Sequence, residues 1–303
     1  MSAPGPARVS RLSGRPGRGL AVICASALST QSGAAVGSLA FSGLTPVGVV
    51  AARQLVAATV LLAIARPRFW RFTGSQWSPV LLLALFFAGM NTALYAALDR
   101  VGLGTAVTIE FLGPLAVAVL SSRRPRDGLC ALMALTGVVL LTRPGPTSDL
   151  LGLGFAVLAA GCWAGYILTN RVVGQRLEGV QGVAVGTAIS ALGLLPVAAV
   201  IVWHLQPPLE AFLFAAVAGV LASAVPYSLD LIVLRHISPV VFGLGMSLHP
   251  LFAALIGAGF LAQQLPLIAW TGILLVVLSN ALTLSGPLRR PPPRGAAGPG
   301  PSR

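Results

Sequence analysis

The sequence predicts an all-α integral membrane protein with ten transmembrane helices in two inverted five-helix repeats. Three observations carry this prediction. First, 56% of the 303 residues are hydrophobic and only 9% are charged, with a mean hydropathy of +0.88, whereas soluble domains carry about 25% charged residues. Second, the apolar runs reach the roughly 20 residues that one bilayer crossing needs, without the alternating ten-residue pattern of barrel strands. Backbone groups in lipid are satisfied only within helices or a closed barrel, so unbroken runs are read as helices. Third, the chain matches itself when shifted by 136 residues.

The first five spans are Leu20–Phe41, Pro46–Ala65, Ser78–Ala97, Gly104–Leu120 and Gly128–Leu141. The second five are Leu150–Asn170, Gly182–Trp203, Ala211–Leu234, Val240–Leu261 and Leu267–Leu284. Prolines and charges mark the joints: RPRFWR at 66–71, SSRRPRD at 121–127, TRPGPTSD at 142–149 and QPPLE at 206–210. The domains expected are a cytoplasmic tail (1–19), a first repeat (20–142), an external linker (143–149), a second repeat (150–284) and a cytoplasmic tail (285–303). The last is rich in Pro, Gly and Arg and is expected to be disordered. Four arginines followed by GLAVICASAL also resemble a secretory signal. The apolar character continues through Phe41 and nine spans follow, so this segment is read as an uncleaved first helix.

All twenty basic residues are arginine, giving a net charge of +13. On the predicted topology, seventeen lie on one side, Arg100 and Arg143 on the other, and Arg53 within a span. Arginine-rich loops stay in the cytoplasm, which puts both termini there in an inner-membrane protein. The charge is a topology signal rather than a nucleic-acid surface. Cys24, Cys130 and Cys162 lie in apolar runs without CxxC spacing, so neither a disulfide framework nor a metal site is indicated. No cofactor is expected.

The shift of 136 residues brings the third and fourth spans onto the eighth and ninth. Leu112 meets Leu248, Pro114 meets Pro250 and Ala118 meets Ala254. An odd number of helices per repeat inverts the second copy. Inverted repeats are a common design of secondary transporters, with the substrate site near mid-membrane between the halves.

Four ionisable residues lie inside apolar spans: Arg53, Glu110, Asp230 and His249. A charge at the bilayer centre costs about 2.5–3.5 kcal/mol on insertion scales, so such residues face a cavity or a partner. At 1.5 Å per residue, Arg53 and Glu110 lie about 10 and 9 Å below the same face. They either pair directly, or Glu110 lines a cavity and binds a proton or a substrate ammonium. Pro250 bends the ninth span beside His249, which either titrates or donates to a carbonyl there. Asp230 is within reach of Arg235 or interfacial water. Asn91 and Tyr95 share one helix face and, with Gln31, could surround a small polar solute. Trp163, Tyr166 and Tyr227 offer aromatic walls or helix packing.

The stretches GMNTALYAALDRVGLGTAVTIEFLGPLAVAVLSSRRPRD (89–127), LAAGCWAGYILTNRV (158–172) and ASAVPYSLDLIVLRHISPVVFGLGMSLHPLFAAL (222–255) resemble EamA-type carriers. These belong to the drug/metabolite transporter superfamily, and the threonine/homoserine exporter branch is the nearest likeness. The resemblance runs from about Ala34 to Leu284. It implies ten helices in two inverted repeats, a central cavity and export of small amino acids or related metabolites. It matches Glu110, Gly113 and Pro114 to the family's fourth-span motif, Arg53 to its second-span arginine, and Pro226 and Tyr227 to its eighth-span motif. His249 stands where the family usually has Glu, and Ala262–Gln263 where it usually has Gly-Glu.

The expectation is a multi-pass exporter of a small amino acid working by alternating access, with protons as a candidate coupling ion. Its partners would be a small-molecule substrate and membrane lipid, as a monomer or homodimer. The alternative is a drug or hydrophobic-metabolite carrier. An intramembrane lipid-modifying enzyme would need paired acids or a His/Asp constellation near the headgroups, such as DDxxD or HxxxxD, and neither occurs.

Overall fold

Among residues 16–120, 125–142, 149–226, 229 and 248–284, which the computed structural model describes, the regular structure is entirely helical. The helices are α1 (Pro16–Ser38), α2 (Phe41–Ala65), α3 (Gly74–Val101), α4 (Leu103–Glu110), α5 (Leu112–Leu120) and α6 (Pro125–Thr142). There follow α7 (Leu150–Arg176), α8 (Gln181–Leu205), α9 (Leu209–Gly219), α10 (His249–Phe260) and α11 (Leu267–Leu284). All fall on the predicted spans. Four of them, α2, α3, α7 and α8, are each long and apolar enough to cross a membrane, and the shorter described helices are also apolar. The tails and linker expected at 1–15, 143–148 and 285–303 lie outside the described residues, as do Tyr227 and Asp230.

The fourth span is not one helix, as the sequence suggested, but two. α4 stops at Glu110, Phe111 forms a turn, and α5 begins at Leu112. Pro114 accounts for the break. It has no N–H for the carbonyl four residues back, at Glu110, and its ring would collide with that carbonyl. A related break lies ahead of Pro46, where Thr45 takes φ 58° and ψ 161°. Residues before proline avoid the α region, so the regular part of α2 begins where the sequence placed it.

The eighth span contains a π-helical turn at Val220–Ala224, in which the Val225 amide donates to the Val220 carbonyl. In this register the next carbonyl, Leu221, would accept from residue 226, which is proline. Ser29 of α1 donates to it instead, at 2.7 Å. Pro226 thus opens the helix, and α1 closes the open bond. α10 begins at His249 with Pro250 in its first turn, a position proline tolerates because the amide there is free in any case.

The outer surface is apolar, and the interior is apolar too but encloses a set of buried polar side chains. Leu85, Leu150, Trp203 and Leu267 are 65–86% exposed, while Gln31, Arg53, Gln54, Asn91, Glu110, Ser190 and His249 are buried. This pattern suits lipid as solvent. α3 packs along α7, α2 along α8, and α6 along α11. The last pair approaches through two glycines: a Cβ on Gly137 would lie 2.6 Å from the Gly272 carbonyl oxygen, and one on Gly272 would meet the Gly137 carbonyl.

Gln263 has a structural role. Its Oε1 accepts from the Leu103 amide at 3.1 Å, capping the start of α4, while its backbone N–H donates to the Gly257 carbonyl of α10 at 2.9 Å. Ala262 beside it has φ 51°. This left-handed conformation costs a non-glycine residue about 1–2 kcal/mol. Ala262→Gly is therefore expected to raise stability by about 0.5–1 kcal/mol once glycine's greater unfolded entropy is offset. Thermal unfolding in detergent tests this, and an unchanged or lower midpoint contradicts it.

At the other junction, Asp149 caps α7 by accepting from Gly152 at 2.8 Å and pairs with Arg100 of α3 at 2.9 Å. The Gly152 amide, followed by Arg100, holds the Asp149 carboxyl below its ordinary value of 3.8. A carboxylate depressed in the folded state stabilises above its unfolded pKa, and that contribution is lost as pH falls through the folded value. Asp149→Asn should therefore be less stable than the parent near neutral pH and converge on it below about pH 4. Unfolding midpoints across that range measure the difference, and parallel curves would exclude the carboxylate as its source.

Candidate functional site

The helix break sets the position of the site's acid. Glu110 is the last residue of α4, beside the carbonyl that Pro114 leaves without its usual partner. A Cβ on the buried Gly113 would overlap the Ala160 carbonyl of α7, so the broken segment lies directly on that helix. Glu110 is 5% exposed and Arg53, on α2, is 6% exposed. Each charge lies within the other's field, yet they do not form a direct ion pair. Among the described residues, only Arg100 and Asp149 come within ion-pair distance.

Arg53 is held by Tyr95 instead. Its Nη1 donates to Tyr95 Oη at 3.3 Å, and the guanidinium lies 4.8 Å from the centroid of the Tyr95 ring. The fully buried Tyr95 ring meets Phe41 edge-on. The Arg53 Nε has no hydrogen-bond partner among the described residues. The cation is therefore oriented through one end and the ring face, leaving donor capacity unspent.

The predicted residues divide clearly. Asn91 is buried, but its amide donates to Phe87 of its own helix at 2.8 Å, which secures the local turn. Gln31 reaches across to α10, where its Nε2 lies 3.1 Å from His249 Nδ1. The histidine's partner is thus an amide on the first helix, not a neighbouring carbonyl. Its ring stacks on Phe111 at 5.3 Å, and Phe111 meets Trp163 edge-on at 4.5 Å. Tyr166 packs against Phe87. The helix break therefore carries the carboxylate and, one residue later, the centre of an aromatic stack joining α7 to α10.

The structure adds Gln54 and Ser190. Gln54 Nε2 donates to Ser190 Oγ at 3.0 Å, linking α2 to α8 beside Arg53. The two residues are 136 positions apart. An uncharged polar residue next to Arg53 and the self-match of the chain together hold this signal, but a serine in an apolar helix draws little attention. The three cysteines are free. No cluster of metal-ligating side chains occurs among the described residues.

Removing one partner of a buried hydrogen bond costs about 1–3 kcal/mol. Ser190→Ala and Gln54→Leu should each destabilise the protein. The double variant should lose at least 0.5 kcal/mol less than the sum, as coupled neighbours do. A double-mutant cycle on thermal unfolding measures this, and additive losses would contradict the pairing.

Comparison with known proteins places the chain in a family. The model of the EamA-like transporter family matches residues 150–285. The threonine/homoserine exporter RhtA of Salmonella typhimurium is 38% identical over 266 residues, covering 85% of this chain and 86% of that protein. The RhtA exporter of Escherichia coli is 34% identical over 276 residues, covering 88% and 92% respectively. A crystal structure of another protein, 19% identical, superposes over 89% of this chain and 98% of its own with a TM-score of 0.59, which bears on the fold alone. The chain is a member of the EamA-like transporter family, a family of carriers and not of enzymes.

Proposed function

We propose that this protein is a secondary transporter of the cytoplasmic membrane that exports a small amino acid, threonine- or homoserine-like, by alternating access. The observation that carries the proposal is the buried acid and base on separate helices, Glu110 and Arg53, close enough to interact but not joined. A zwitterion presents an ammonium and a carboxylate, the complements of these two groups. Opposite charges in a low-dielectric setting attract strongly, so a substrate placed between them replaces part of the water each charge lost. The names of the curated relatives point to the same solutes.

Alternating access fits two inverted repeats of five helices. α2 and α8, the second helix of each half, pack together with Gln54 and Ser190 in contact at the repeat spacing of 136 residues. α6 and α11 close each half and meet through Gly137 and Gly272. Contacts between equivalent helices are what a two-fold axis in the membrane plane produces. The arginine distribution favours both termini on the cytoplasmic side. Glu110 is the group in this site best suited to carry a coupling proton. The functional unit is a monomer or homodimer.

Purified protein in liposomes loaded with labelled threonine is expected to release it, and Glu110→Gln to slow release at least tenfold, as loss of a buried charge contact would (about 1.4 kcal/mol per factor of ten). Equal release by the variant would remove Glu110 from the pathway. Release of apolar drugs in preference to threonine would favour the drug-carrier alternative.

A further inference from the structure

Gln31 and His249 come from the two ends of the chain and meet at a single hydrogen bond of 3.1 Å. Their side chains are 3% and 5% exposed. The bond occupies one polar end of each. The other ends, Gln31 Oε1 and His249 Nε2, are buried and lack a hydrogen-bond partner among the described residues.

The chemistry of these remaining ends does not depend on how the bond is arranged. With a neutral ring, if the Gln31 amide nitrogen donates to Nδ1, the ring proton lies on Nε2. That leaves a ring donor and a carbonyl acceptor. If the amide is turned over, its oxygen accepts from Nδ1–H, leaving an amino donor and a bare ring nitrogen as acceptor. Either way, at least one donor and one acceptor remain. A hydroxyl both donates and accepts, whereas a methyl does neither.

The pair is tied to the segment that carries the buried acid. His249 stacks on Phe111, the residue after Glu110, and Phe111 in turn meets Trp163. The unspent polar ends of Gln31 and His249 are thus joined through one ring to the backbone that bears Glu110. Resting on the transport reading above, we infer that Gln31 and His249 form the subsite that selects a hydroxyl on the side chain of the exported amino acid.

Threonine and valine test this directly, because they have nearly the same shape and differ by a hydroxyl in place of a methyl. A site built to hydrogen-bond a hydroxyl rejects the analogue that lacks it, since its own polar groups are then left unpaired. The experiment uses the full chain in liposomes and compares release of labelled threonine and valine. The parent protein should prefer threonine by about tenfold or more. Gln31→Met, which keeps length but loses both polar atoms, should reduce the threonine-to-valine ratio at least fivefold. His249→Phe, which keeps the ring stack, should do the same and serves if Gln31→Met does not fold.

A parent protein that moves valine as readily as threonine overturns the inference. So does a ratio unchanged in both variants, including the case where the two fluxes fall in proportion, which would mark the pair as structural. In those cases amino-acid transport itself survives. If the parent moves neither amino acid, the transport reading fails, and this inference with it.

Discussion

The constraint on which the rest depends is the burial of two opposite charges in a body whose outer surface is apolar. An isolated charge cannot stay in such a setting without compensation. Arg53 obtains part of it from the hydroxyl and ring face of Tyr95. Glu110 obtains part of it from the field of Arg53. The two groups stop short of a direct pair. A closed ion pair satisfies itself, whereas two oriented charges held apart attract a solute that carries both signs.

Proline creates the irregularities that bring polar groups into this body. Pro114 ends α4 at Glu110 and restarts the chain as α5. Pro226 widens the eighth span, and the carbonyl it leaves open is met by Ser29. Irregular backbone at membrane depth is tolerated where it is buried in protein or lines a cavity, and both interruptions are buried between helices. Each is tied to another element by a side chain. The same logic applies to Gln263, whose side chain caps the start of α4.

The residues around the charges act in three ways. Tyr95 orients Arg53, Gln54 and Ser190 join α2 to α8, and the ring stack through Phe111 connects α7 with α10. The groups thus lie on helices that must shift relative to one another if the site is to open alternately to either side. Hydrogen bonds and ring contacts suit such joints, because each is worth only about a kcal/mol or so net and can be exchanged for another.

Much of this protein can be read from its residues alone. Hydropathy and the scarcity of charge decide that its solvent is lipid, because a charge deficit this deep leaves too little polar surface for water. The positions of Arg53, Glu110 and His249 are equally legible, since an ionisable residue in an apolar run stands out against its neighbours. The proline positions are visible too, but not their consequences. That Pro114 would split the fourth span, and that Pro250 would fall in the first turn of α10 rather than bend a longer helix there, depends on which carbonyls find other partners. The pairings were decided only in three dimensions. A linear chain does not say that Arg53 turns to Tyr95 instead of Glu110, or that Gln31 crosses to His249 218 residues away. Such contacts are fixed by the side-chain directions that helix packing imposes, and those directions exist only once the helices have met.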